Sequence, residues 1–192
     1  MGKIVITEFI SLDGVVEDPG GSEDHPHGGW SFEYERSDEG DAFKMKETED
    51  SGALLLGRVT YEGFAEAWPQ RSGDPFSDKF NSMPKYVVSS TLTDPDWNNS
   101  TVIDGSGDVA AEIARLKDEV EGDVVVHGSP TLARFLIEED LVDELRLMVF
   151  PVVLGSGKTL FGPSESKKGW KLASAETVGS QGVQVNIYEP AG

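Results

Sequence analysis

The stretch Asp123-Val124-Val125-Val126-His127-Gly128-Ser129-Pro130-Thr131-Leu132 decides the fold class. Its β-branched run shows no polar alternation, which is the pattern of a strand buried on both faces, as in a parallel sheet. Gly128 breaks that strand, and Ser129 followed by Pro130 signals a helix start. Serine suits the N-cap, and proline suits the first helical turn, where its missing N–H has no partner to lose. A buried strand passing through one glycine into a helix is the unit of an α/β domain.

The pattern repeats upstream. Lys3 to Phe9 is a nearly continuous apolar run rich in Ile and Val, and Ala53-Leu54-Leu55-Leu56 is a second buried strand that Gly57 breaks into a helical pattern near Arg58. Between them Ser37 or Asp38 is expected to cap a helix through about Thr48. Lys85-Tyr86-Val87-Val88 reads as a third strand ending in Ser89-Ser90, and Thr101-Val102-Ile103 as a short fourth. Val109, Ile113, Leu116 and Val120 then recur on one helical face beginning near Asp108. Downstream of the opening stretch, Val142 to Leu154, Trp170 to Val178 and Val183 to Tyr188 read as strands, the last two joined across Ser180-Gln181-Gly182. The expectation is one α/β domain over residues 1–192, a mostly parallel central sheet flanked by helices and extended by antiparallel C-terminal strands. Asp18 to Gly29 is dense in Gly and Pro, and its length suits a mobile lid ending at Trp30.

Composition narrows the function. The chain has 35 Asp and Glu against 16 Lys and Arg, a net charge of −19. Such a surface repels phosphate backbones and anionic lipids, so neither nucleic acid nor membrane is an expected partner. It also resembles the acidic surfaces suited to a high-salt cytoplasm. The absence of cysteine removes disulfide frameworks, zinc knuckles and thiolate nucleophiles. An acidic residue at Glu8 arrives before any signal-peptide apolar region develops, so the expected location is cytoplasmic. Any anionic ligand must be held by local dipoles and a few placed cations.

Three strand ends offer such dipoles: Gly57 with Thr60, Ser89-Ser90-Thr91, and Gly128-Ser129-Pro130-Thr131. Two lead directly into helix N-termini, whose free N–H groups attract phosphate oxygens. Ligands of open α/β sheets collect outside the carboxyl ends of the strands, so the three turns point to one extended, multi-phosphate ligand. Other signals fail on context. Gly155-Ser156-Gly157-Lys158-Thr159 lacks the first glycine of a P-loop, since Val152 stands there. Gly105-Ser106-Gly107 falls too late for a first βαβ unit. Asp24, His25 and His27 on a loop are few ligands for a metal, and none is expected.

The order and spelling of these pieces resemble the dihydrofolate reductase superfamily, and within it the C-terminal reductase domain of the bifunctional riboflavin-pathway deaminase/reductase. The resemblance runs from about Lys3 to Glu189. It is carried by Ser11-Leu12-Asp13-Gly14, Gly57-Arg58-Val59-Thr60-Tyr61, Val87-Val88-Ser89-Ser90, Gly128 with Leu132 and Phe135-Leu136, and Leu141-Val142-Asp143-Glu144-Leu145 continuing to Pro151-Val152-Val153-Leu154-Gly155.

The resemblance implies an enzyme with NADPH as hydride donor and a small-molecule substrate, most closely a phosphorylated aminouracil whose ribosylamino group is reduced. An orphan reductase of a pterin or another small molecule is the alternative within the class. A non-catalytic nucleotide-binding module, homodimeric through its late strands, is the alternative outside it. By carry-over, Gly57, Arg58, Val59 and Thr60 hold the cofactor's phosphates, with Arg58 near the 2′-phosphate. Ser89, Ser90 and Thr91 line the adenosine side, and Gly128, Ser129, Pro130, Thr131 and Leu132 receive the pyrophosphate. Counting back from Gly57 to the folate branch's catalytic carboxylate lands on Asp41, the first candidate acid, with Asp13 second. Asp13, Trp30, Asp41 and His127 are expected to face the substrate. One departure stands out: riboflavin-type domains usually carry Glu-Gly-Gly where this chain has His127-Gly128-Ser129.

Overall fold

Apolar strands that alternate with amphipathic helices must cover both faces of their sheet, and the chain does so around a central parallel core. The computed structural model describes residues 2–164 and 166–192. In chain order it contains β1 (Ile4–Ser11), α1 (Ser37–Asp50), β2 (Ser51–Gly57), α2 (Arg58–Ala67), α3 (Pro75–Ser82), β3 (Lys85–Ser89), β4 (Ser100–Asp104), α4 (Val109–Glu119), β5 (Asp123–His127), α5 (Pro130–Glu138), β6 (Glu144–Phe150), β7 (Trp170–Val178) and β8 (Val183–Pro190). One eight-stranded sheet has the order β4-β3-β2-β5-β1-β6-β8-β7. The strands from β4 to β6 are parallel, and β8 and β7 are added antiparallel. This is the α/β architecture expected from the sequence.

The two faces have different covers. Ile4, Ile6 and Ile10 of β1 share a core with Ile113 and Leu116 of α4 and with Leu132, Ala133 and Leu136 of α5. On the other face Leu54 and Leu56 of β2 pack with Tyr61 and Phe64 of α2 and Phe80 of α3, while Phe9, Met148 and Phe150 pack with Phe43 of α1 and with Trp30.

Four local expectations change. The strand expected over Val142 to Leu154 is shorter, ending at Phe150, because Pro151 has no N–H for the ladder. α3 was not anticipated, although Asp74 caps it through the Ser77 amide at 2.9 Å and Pro75 opens its first turn. The N-cap of α1 is Arg36, so Ser37 and Asp38 lie inside the helix. The loop expected as a mobile lid has a centre of its own: it is wound on buried Asp18, whose carboxylate accepts from the Ser22 and Glu23 amides at 2.6 and 3.0 Å while its carbonyl accepts from Gly29 at 2.9 Å.

Candidate active site at the carboxyl ends of the central strands

β1 and β5 pair from Ile4↔Val124 to Thr7↔His127 and then separate, whereas β1 stays paired with β6 as far as Ser11↔Phe150. The separation is forced by the chain. Gly128 and Ser129 adopt φ values of 64° and 60°, a left-handed pair that turns β5 into α5. The helix after β5 packs on one sheet face and α1, after β1, on the other. Neighbouring strands whose connections leave in opposite directions open a crevice at the switch point, where ligands of α/β sheets bind.

The turns after β2 and β5 are tied together at its edge. The Gly57 amide donates to Ser129 Oγ at 2.8 Å, and that hydroxyl donates to Thr60 Oγ1 at 2.8 Å. A Cβ on Gly57 would lie 2.9 Å from Ser129 Oγ, and one on Gly128 would lie 3.2 Å from Thr60 Cγ2, so the approach requires glycine on both sides. The Ser129 hydroxyl is therefore spent across the gap, and α5 begins without a side-chain cap; so does α2 at Gly57. Two uncapped helix starts, joined by one hydroxyl, aim their first-turn N–H groups and dipoles at neighbouring space.

The expected cofactor residues divide accordingly. Gly57, Thr60, Gly128 and Ser129 form the joined turns. Arg58 and Val59 sit outward on the rim, with Arg58 paired to Glu62 one helical turn on at 2.8 Å. Pro130 and Thr131 open α5, while the Leu132 side chain is core, leaving only its backbone for a ligand. Ser89 Oγ accepts from the Thr91 and Leu92 amides at 3.1 and 2.9 Å and so closes its own turn, with Ser90 and Thr91 exposed at the end of β3.

Toward α1 the sheet is charged. Lys44 Nζ donates to Thr7 Oγ1 at 3.0 Å and pairs with Glu47, which is 1% exposed. Arg146 meets Glu47 at 3.6 Å, Asp123 at 3.1 Å and Glu144 at 2.5 Å, and Lys3 joins Glu144 at 2.7 Å. His127 borders this cluster on one side and Phe80, edge-on at 5.4 Å, on the other. Burial, with Lys44 and Arg146 nearby, pushes its imidazole down to about 3, so it is a neutral ring at any working pH.

Three expected substrate residues are placed differently. Asp41 points outward, 68% exposed and paired with Arg36 at 3.2 Å, whereas the inner face of α1 presents Lys44 and Glu47. Asp13 is a loop staple: its carboxylate accepts from Ser11 Oγ at 2.6 Å and from the Leu154 and Gly155 amides at 3.1 and 2.8 Å. Those bonds, the Ser11 hydroxyl first, pull its carboxyl down to about 2, and it cannot serve as an acid at neutral pH. Trp30 is 1% exposed beneath Phe150, and its indole N–H is spent on the Glu17 carbonyl at 2.9 Å, so it is a core residue rather than a substrate contact.

The residue not singled out is Glu8. It is 5% exposed, it is the first position of β1 beyond the β1–β5 ladder, and its Oε1 has no hydrogen-bond partner among the described residues. The signal was present: it is the one charge inside the run Ile4-Val5-Ile6-Thr7-Glu8-Phe9-Ile10.

A sequence model of the RibD C-terminal domain matches residues 2–184. The chain belongs to that family. It is a riboflavin-pathway type of reductase domain, and the dihydrofolate-reductase-like fold agrees. The uncharacterized protein YwjB of Bacillus subtilis is 30% identical over 184 residues, covering 96% of each chain. A proposed riboflavin biosynthesis protein from Shewanella sp. PV-4 superposes with a TM-score of 0.76 at 24% identity over 99% of both chains. Enterococcus faecalis dihydrofolate reductase, solved with NADP(H), superposes at 0.64 and 18% identity over 100% of this chain and 98% of its own. In this RibD C-terminal domain the joined turns lie well inside the matched span, and His127 stands between the charged cluster and the aromatic core.

Proposed function

We propose that the protein is an NADPH-dependent reductase of a C=N bond in an aminopyrimidine of the riboflavin pathway. The reading is carried by the two uncapped helix starts that Ser129 ties together at the mouth of the β1–β5 crevice. Their N–H groups suit a pyrophosphate, and glycines at 57 and 128 let backbone approach it closely. Arg58, at the first position of α2, supplies a cation for a 2′-phosphate once it leaves Glu62. The cofactor supplies the hydride, and the chain's task is to fix the partners and exclude water.

On the α1 side, Lys44 lies over the Phe9 ring at 5.6 Å and has N–H groups for the carbonyls and nitrogens of an electron-rich ring. The proton for the substrate nitrogen comes from solvent, because the expected acid, Asp41, lies on the exposed rim paired with Arg36. Neutral His127, where riboflavin-type domains usually carry a carboxylate, favours a second reading in which the ring is a pterin or another heterocycle with different edge groups.

Arg58→Ala tests the cofactor assignment: NADPH binding is expected to weaken far more than NADH binding, and equal losses would remove Arg58 from the 2′-phosphate. Turnover is read as loss of reduced-nicotinamide absorbance with a phosphorylated ribosylaminouracil and with dihydropterins. Binding of NADPH without turnover of any of them would favour a non-catalytic nucleotide-binding module.

A further inference from the structure

The alternation of β1 puts Glu8 on the face of Ile4, Ile6 and Ile10, opposite to Thr7, Lys44 and His127. On that face the ladder sets Leu147 of β6 beside it. The side chains packed there from α5 and α4 are apolar: Leu132, Ala133, Leu136, Ile113 and Leu116. The charge that bears on Glu8 is Lys44, from α1 on the other side of the sheet, and on the β5 side the Gly128 amide faces it. A carboxyl buried among apolar side chains, with no ion-pair partner among the described residues, favours its protonated form. Burial pushes it up to about 8, with Lys44 and the Gly128 amide offsetting only part of that effect.

A neutral carboxyl presents an O–H donor and a carbonyl acceptor side by side, and the chemical complement of that pair is a primary amide. Glu8 lies against the Gly128–Ser129 turn, which is bonded in turn to Gly57 and Thr60. A ligand held by its phosphates at the two helix starts and extended along the Gly128 turn would come next to Glu8.

We propose that neutral Glu8 orients the primary carboxamide of a nicotinamide cofactor, its O–H donating to the amide oxygen and its carbonyl accepting from the amide nitrogen. This rests on the nicotinamide reading above and adds a positioning residue to it. Ionised Glu8 loses the donor and sets a second negative charge beside an anionic ligand.

The test is equilibrium binding to the full chain, followed by tryptophan fluorescence, of NADPH and of 2′-phospho-ADP-ribose, which lacks the nicotinamide. Between about pH 7 and about pH 9 the wild-type affinity for NADPH is expected to fall about tenfold as Glu8 ionises. Glu8→Gln keeps a donor and an acceptor without titrating, so it should bind NADPH at the neutral-pH level throughout. Glu8→Ala should be weaker at both values and insensitive to pH. The ADP-ribose ligand should bind all three proteins equally. A pH dependence that survives in Glu8→Gln overturns the proposal, as does parallel weakening of both ligands by Glu8→Ala. If 2′-phospho-ADP-ribose binds and NADPH ignores Glu8, the phosphate site stands and the Glu8 assignment falls. If neither ligand binds the wild type, the cofactor reading falls and Glu8 goes with it.

Discussion

Thr7 and Glu8 are consecutive on β1 and face opposite kinds of interior. On the Thr7 side the charges buried beneath α1 are paired: Lys44 has Glu47, and Arg146 has Glu47, Asp123 and Glu144. On the Glu8 side a single carboxyl lies among leucine and isoleucine with one oxygen unpartnered. A closed set of buried charges fastens α1 to the sheet, because removing one member strands the others. A lone polar group fastens nothing within the fold, and a ligand that completes it would offset its cost.

Removing one carboxylate from each side separates the two cases. Glu47→Ala leaves Lys44 and Arg146 short of a partner and should destabilise the fold by about 3–5 kcal/mol, read as a lower urea midpoint with unchanged slope. Glu8→Met, close in volume and apolar, should be neutral or stabilising while weakening NADPH binding. Equal destabilisation by the two variants would break the distinction.

The joined turns come next in size. Ser129→Ala strands the Gly57 amide and unties Thr60, for an expected loss of about 1–2 kcal/mol. The helix starts would then separate, so NADPH binding should weaken more than stability falls. Unchanged binding would mean that the tether does not shape the phosphate site.

Much of this was legible in the sequence because it depends on local rules. The β-branched runs around Ile4, Leu54 and Val124 become central parallel strands, and Gly57 and Gly128 mark the turns into α2 and α5. What the Ser129 hydroxyl does was not legible: serine before proline reads as a cap, and only the approach of β2 to β5 redirects it to Gly57. Asp41 was reached by counting residues, but helical phase places it one step off the inner face where Lys44 and Glu47 lie. Asp13 and Trp30 have chemically suitable side chains that a loop 141 and 142 residues away, or the core itself, already occupy; Leu154 and Gly155 cannot be matched to Asp13 by spacing. Glu8 is not legible as a site residue, because a charge in a buried run reads as an interruption of the pattern.

The two faces should also respond to pH in opposite senses. His127 is held at about 3 in the fold against 6.5 in the open chain, so unfolding takes up a proton between those values. Its contribution is present above 6.5 and is lost as pH falls toward 3. Glu8 is held at about 8 against 4.5, so its contribution is present below 4.5 and is lost as pH rises through 8. Urea titrations across pH should show His127→Gln flattening the acid limb and Glu8→Gln the alkaline limb. The same limb flattened by both would mean that the two groups are not shifted in opposite directions.

The smallest expected effect separates both interiors from the surface. A net charge of −19 repels an anionic cofactor from a distance, and about 0.1 M salt shortens that reach to about 10 Å. The Lys44–Glu47–Arg146 cluster is buried and is screened far less, so the cost of Glu47→Ala should hardly change with salt. NADPH affinity should instead rise about twofold from low to moderate ionic strength, as repulsion fades faster than the close contacts at the helix starts and Arg58. A steady fall in affinity with salt would show that the acidic surface lies too far from the crevice to oppose binding, leaving Arg58 as the electrostatic term that salt weakens.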